Sequence, residues 1–378
     1  MDGLENRSLF NTSKSLAGPE NKSFIKEPFP ITVLRLVLFG VIFLTALIGN
    51  VVVLTAPWRN KRLQTFSYSL ISCLALGDLI STLGLPFTLA TEQLHSNWIF
   101  GELLCQILNP TQVVCGMVTT NVHTAIAIDR FVSTAYPFKG KPKGTVTWLM
   151  LVIIWLSAVI CSLPAYITRR LETHTMKSGR DLHLCVEVFP ALRYQNVYSV
   201  FLFLVNYAIP IILMGILYTK VVFLLRKTKQ NRRITVYHTT RKTGSPAGAH
   251  RQEIFLSHTS VERKFIRMVF IVMIVFVLCY LPYQVMFLLM DFKVATESEY
   301  IFILFDYAYF ITWIPNALNP ICYGAMDRFY ASAFIKLFAF FRRRKKEKNP
   351  ESKSAKKFDR EEEMQNNVKF EGVLLGDS

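Results

Sequence analysis

Seven apolar runs dominate the chain, at about 32–57, 67–92, 103–135, 146–166, 195–225, 265–290 and 299–323. Each approaches or exceeds the roughly 20 residues a helix needs to cross a bilayer core about 30 Å thick. Lipid offers no water to backbone N–H and C=O groups, so a spanning segment must satisfy them internally, as a helix does. The pattern therefore predicts an all-α membrane protein, a seven-transmembrane helix bundle. A hydrophobic content of 52% over 378 residues and a mean hydropathy of +0.32 exclude an ordinary soluble domain.

Topology follows from two independent signals. Glycosylation sequons at Asn6, Asn11 and Asn21 all precede the first run, which favours a lumenal and finally extracellular N-terminus. The first 30 residues hold no apolar core of a cleavable signal peptide. Positive charge gathers in alternate connections: Arg59, Lys61 and Arg62; Lys139, Lys141 and Lys143; the 226–264 segment; and Arg342 to Lys346. Short loops rich in Lys and Arg stay cytoplasmic, so the C-terminus is expected inside a multi-pass plasma-membrane protein. The formal net charge of +17 is then topogenic, with some attraction to anionic membrane lipid, and not a sign of nucleic-acid binding.

The chain divides into an extracellular tail (1–30), the bundle (31–323), a short amphipathic helix on the inner membrane face (324–341) and a charged cytoplasmic tail (342–378). Within the bundle, 226–262 reads as a basic loop flanked by extensions of the fifth and sixth helices. Residues 167–194 alternate polar and apolar side chains enough to form a hairpin lid. Cys105 and Cys185 both fall at external positions, where an oxidising exterior permits a bridge pinning that lid over the third helix.

Charges and prolines inside the runs are costly and mark candidate functional positions. Asp78 is a lone carboxylate in mid-span, with Asn50 and Asn319 as plausible partners. Asp129-Arg130 ends the third run. Pro164, Pro210, Pro282 and Pro320 each remove a backbone hydrogen bond and can kink a helix. His123 sits in an apolar layer seven residues before Arg130. Its plain reading is a hydrogen-bonded core residue; its sharper reading is a proton-sensitive bias on activation. No HExxH and no His/Asp cluster at helical spacing supports an enzyme. A transporter would need a continuous polar pathway and internal repeats, neither of which is evident.

Taken in order, Gly49-Asn50-Val51, Leu74-Ala-Leu-Gly-Asp78, Trp98-Ile-Phe-Gly101 before Cys105, Asp129-Arg130, Trp155, Pro210 with Tyr218, Phe276 with Cys279-Tyr280-Leu281-Pro282, and Asn319-Pro320-Ile321-Cys322-Tyr323 resemble the rhodopsin-like (class A) G-protein-coupled receptors. The resemblance covers about 31–341 and implies a receptor that signals through a heterotrimeric G protein, with arrestin and receptor kinases as further partners. It implies a switch in which Arg130 pairs with Asp129 and Glu262 in the closed bundle. Phe276, Tyr280 and Pro282 in the sixth helix, Tyr218 in the fifth, and Asn319, Pro320 and Tyr323 in the seventh complete that switch. It further implies no organic cofactor, and a sodium ion at Asp78 with Thr119 and Asn319. Tyr280 stands where the family usually has Trp, and Pro315-Asn316 where it has a polar pair beginning with Asn.

For the ligand, Gln112 replaces the Asp of amine receptors, and 299–323 lacks the Lys of an opsin. Gln112 with Asp291 resembles neuropeptide receptors of the neuropeptide Y, RFamide and orexin-like group. That resemblance implies a peptide ligand whose Arg meets Asp291; Glu187 and Asp306 add acidity to the rim or upper pocket, and Thr88, Gln284 and Tyr309 are candidates to line the pocket beneath. A lipid or other small-molecule ligand is the alternative.

Overall fold

The computed structural model describes residues 27–94, 96–137, 140, 142, 144–175, 181–243, 246–294 and 300–348, without the side chains of 228–262, 302, 338 and 340–348. The helices are α1 (Phe29–Arg59), α2 (Phe66–Gln93), α3 (Gly101–Ala135) and α4 (Gly144–Thr168), then α5 (Leu192–Phe203), α6 (Ile209–Thr243), α7 (Pro246–Asp291), α8 (Ile301–Ile311), α9 (Ile314–Met326) and α10 (Arg328–Lys348). A hairpin of β1 (Arg169–Thr175) and β2 (Asp181–Glu187) lies between α4 and α5. Helices α5 and α6 form one fifth span, and α8 and α9 one seventh span. Among the described residues, five stretches are long and apolar enough by themselves to cross a membrane: α1, α2, α4, Leu192–Lys227 and Arg263–Asp291.

The third span is more polar because it sits among neighbours rather than in lipid, and the seventh is divided between two shorter helices of 11 and 13 residues. In α3, Thr119, Thr120 and His123 are buried beside Val118, Val122 and Ile126. By contrast, α4 presents Trp148, Leu149, Ile153, Leu156 and Ile160 outward, as a lipid-facing helix must.

Two prolines show how the bundle satisfies a backbone group that a proline frees. Pro210 lacks the N–H that would bond the carbonyl of Asn206, and the chain widens there into a π-helical turn, Leu204–Ala208. The Thr120 hydroxyl of α3 takes up that carbonyl at 3.0 Å. Likewise Pro320 frees the carbonyl of Asn316, and Asn50 Nδ2 of α1 donates to it at 2.9 Å. Gly49 makes this approach possible, since a Cβ there would lie 2.5 Å from Pro320 Cγ.

Two expectations change. The 226–262 loop has a helical backbone almost throughout, carried by α6 to Thr243 and α7 from Pro246. Its Lys, Arg and Gln residues are good helix formers, so basic composition did not mean irregular backbone. The seventh span is broken at Thr312-Trp313, because Pro315 in the first turn of α9 cannot donate back to Ile311. The hairpin lid forms, and Cys105 and Cys185 are disulfide-bonded with Cα atoms 5.7 Å apart. Its other anchors are Trp98 N–H to the His183 carbonyl at 2.7 Å and His183 N–H to Asn97 Oδ1 at 3.0 Å.

Candidate functional site

Polar side chains gather at two ends of the bundle and at one point between. At the outer mouth, Asp291 ends the sixth span. Gln195 Nε2 donates to its Oδ1 at 3.1 Å, and the Ser199 hydroxyl donates to its Oδ2. Both donors are neutral and both come from α5, so no cation balances Asp291 among these contacts. Glu187, last in β2, pairs with Arg169 directly across the hairpin, Nη2 to Oε1 at 2.7 Å. Burial pushes the Glu187 carboxyl above the usual range and Asp291 pushes it further, while Arg169 opposes them. Glu187 thus lies near both the Arg169 guanidinium and the Asp291 carboxylate at the foot of the lid.

Below them lies an aromatic group that the sequence reading missed, apart from Tyr309. Tyr283 is 6.0 Å from Phe287, 5.6 Å from Phe305 and 5.5 Å from Tyr309, ring to ring. Tyr309 also meets Trp313 edge-on and has Thr88 beside its phenol. Spacing held a usable signal, because Tyr283 and Phe287 are one turn apart on the helix that carries Asp291.

Other expected mouth residues lie apart. Gln112 pairs with Ser81 of α2: its Oε1 accepts from the Ser81 hydroxyl at 2.7 Å and its Nε2 donates to the Ser81 carbonyl at 3.2 Å. Gly84 leaves the space its amide occupies. No contact among the described residues joins Gln112 to Asp291. Asp306 stands near Arg35 and Glu27 instead, and Gln284 is buried in α7. Arg35 bridges Glu27 at 2.9 Å and Glu92, while the Tyr307 phenol donates to Glu27. This cluster ties the chain ahead of α1 to α2 and α8.

In mid-bundle, Asn319 Nδ2 donates to Asp78 Oδ2 at 2.9 Å. Asn50 is not the second partner, because its amide is used on the backbone of Ala46 and Asn316. The carbonyl oxygens of Asn50 and Asn319 are buried without hydrogen-bond partners, and Thr119 is buried in α3. An acidic oxygen with orphaned amide oxygens suits a small hard cation. Among the described residues there is no cluster of His, Cys, Asp and Glu that would hold a transition metal.

His123 packs against Phe276 at 5.1 Å, and Phe276 against Tyr280 at 4.5 Å. Neither His123 nitrogen has a hydrogen bond; the nearby Thr119 carbonyl one turn back falls short of bonding geometry.

At the inner face, Arg130 bonds Asp129 through Nε at 3.2 Å and through Nη2. Nη2 also donates at 2.5 Å to Ser67 Oγ of α2, which in turn donates to Asp129 at 2.7 Å. The guanidinium lies 4.7 Å from the ring centre of Phe265 in the sixth span. The expected partner Glu262 lies in α7, outside the residues whose side chains are described, as do Asn6, Asn11 and Asn21 for the whole backbone. Tyr218 packs edge-on to Phe270, and Tyr323 lies 5.8 Å from Tyr330.

A family profile described as 7 transmembrane receptor (rhodopsin family) matches residues 49–323. The chain belongs to that family. This rhodopsin-family receptor is a signalling protein of the membrane, not an enzyme. It is similar to neuropeptide FF receptor 2 of Rattus norvegicus, 27% identical over 338 residues, 85% of this chain and 76% of that one. G-protein coupled receptor 54 of Oreochromis niloticus is 26% identical, over 87% of this chain and 85% of its own. The QRFP-like peptide receptor of Branchiostoma floridae is 26% identical, over 79% and 76%. At the inner face of this receptor, Arg130 is held by α2, α3 and the sixth span at once.

Proposed function

We propose that the chain is a cell-surface receptor, N-terminus outside, for an extracellular neuropeptide that carries a guanidinium beside an aromatic residue. The observation that carries this reading is Asp291, held by two neutral donors and set above the Tyr283 aromatic group. A peptide Arg would meet the carboxylate in a charge-assisted, bidentate contact, and a neighbouring Phe or Tyr would enter among Tyr283, Phe287, Phe305 and Tyr309. The names of the relatives, which include neuropeptide FF and QRFP-like peptide receptors, support a peptide ligand.

Binding at the mouth draws the sixth span toward the ligand through Asp291 and Tyr283. Pro282, directly between that pair and Phe276, is where α7 can bend. Phe265 then leaves Arg130, which is freed for a heterotrimeric G protein, with Tyr218 and Tyr323 available on either side. Asp78, Asn319 and Thr119 would hold a sodium ion that favours the closed packing. Arrestin and receptor kinases at the tail, and anionic lipid against α10, complete the expected partners.

A panel of amidated peptides, applied to cells expressing the chain and read by several G-protein sensors, tests the reading. Activation by peptides ending in Arg-aromatic-amide supports it. Activation by lipids or amines alone, with no peptide active, contradicts it.

A further inference from the structure

One carboxylate at the inner face has three donors. Asp327 stands between α9 and α10 with an extended backbone. Its Oδ1 accepts from the backbone N–H groups of Phe329 at 2.8 Å and Tyr330 at 3.2 Å, which caps the start of α10. Its Oδ2 accepts from the phenol of Tyr68 at 2.6 Å. Tyr68 belongs to α2, one residue after Ser67, which holds the Asp129–Arg130 pair.

The Tyr68 ring is also placed. It lies edge-on to Phe265 at 5.5 Å and to Tyr330 at 5.8 Å. Phe265 is the ring that carries Arg130, and Tyr330 is fully buried against Tyr323. Phe265 therefore rests on two partners at once, the guanidinium of Arg130 and the edge of Tyr68.

We propose that Tyr68 and Asp327 form a tether that positions α10 and holds the sixth span closed. The phenol–carboxylate bond fixes the Tyr68 ring, the ring supports Phe265, and Phe265 covers Arg130. When the sixth span withdraws, Tyr68 loses its edge contact and the Asp327 cap loses a rigid neighbour, so α10 is reoriented by the same movement that frees Arg130. Tyr68 and Asp327 are positioning residues, since the switch contact itself is made by Phe265 and Arg130.

Three substitutions in the full-length receptor separate the tether from the cap. Tyr68→Phe keeps the ring and removes the donor. Asp327→Ser keeps a capping oxygen but is too short to reach Tyr68. Asp327→Asn keeps both an acceptor and a cap. At matched surface expression, Tyr68→Phe and Asp327→Ser should each raise basal G-protein activation about two- to fivefold. Asp327→Asn should stay near the native level, and the double variant Tyr68→Phe/Asp327→Ser should match either single one. Spin labels at the exposed positions 61 and 335 should give a broader distance distribution in Tyr68→Phe than in the native receptor. Native basal activity in both Tyr68→Phe and Asp327→Ser, or additive effects in the double variant, would overturn the proposal.

Discussion

The guanidinium of Arg130 lies 4.7 Å from the ring centre of Phe265, so an apolar side chain of the sixth span holds the proposed switch residue of the third. Cation–π contacts are worth about 0.5–1 kcal/mol when exposed and about 2 kcal/mol when desolvated. Replacing Phe265 by Leu keeps bulk and removes the ring face. Basal G-protein activation should then rise by a few-fold to about tenfold at equal surface expression, since ~1.4 kcal/mol corresponds to tenfold in an equilibrium. A ligand-free sensor assay measures this directly, and an unchanged basal level would show that Phe265 is not the contact that matters.

The bond from Thr120 to the Asn206 carbonyl answers the group freed by Pro210. Thr120→Val keeps the shape and orphans a buried carbonyl, at about 1–3 kcal/mol. The purified receptor should melt several degrees lower, whereas Thr219→Val, whose hydroxyl bonds only its own helix at Gly215, should change little. Thermal unfolding followed by a thiol-reactive dye at the buried cysteines provides the comparison.

Gly49 and Pro320 touch so closely that a methyl group has no room between α1 and α9. Gly49→Ala should force the two helices apart at about 1–3 kcal/mol, and would weaken the Asn50–Asn316 bond with it. Reduced surface expression that recovers at lower temperature is the expected outcome. Gly40→Ala, where a Cβ meets nothing within 4 Å, is the control and should express normally.

Much of this arrangement is legible in the sequence, and the reasons differ by region. The spans are legible because lipid permits only self-satisfied helices, and the lid because its residues alternate. Asp129 and Arg130 are adjacent, so their pairing needs no fold at all. Ser67 and Phe265 are not legible as their partners, because each arrives from another helix and only the rotation of α2 and α7 brings them in. Rotation likewise turns Asp306 toward Arg35 and Glu27, although its position in the seventh span looked suited to the mouth. Asn50 suggests itself as a partner for Asp78, yet the carbonyl that Pro320 frees uses its amide.

Glu187 gives a pH dependence with a definite sign. Burial and Asp291 raise its carboxyl above the usual range against the pull of Arg169, so its protonated form persists to higher pH than that of an exposed glutamate. An arriving guanidinium favours the ionised form, so binding releases a proton. Affinity for an Arg-bearing peptide should therefore rise with pH while Glu187 is protonated in the free receptor, and level off once it ionises. Radioligand binding between pH 5 and 8 tests this, and Glu187→Gln should flatten the slope.

The central claim is that a ligand guanidinium meets Asp291, and a double substitution across the contact tests it most directly. An activating peptide and its Arg→citrulline analogue, which keeps shape and loses charge, are titrated on the native receptor and on Asp291→Ala. The expected result is a loss of potency of about 10- to 100-fold for the Arg peptide on Asp291→Ala, the size of a truncated charge pair. The citrulline peptide should be weak on both receptors and barely sensitive to the substitution. Equal losses for the two peptides on Asp291→Ala would contradict the claim.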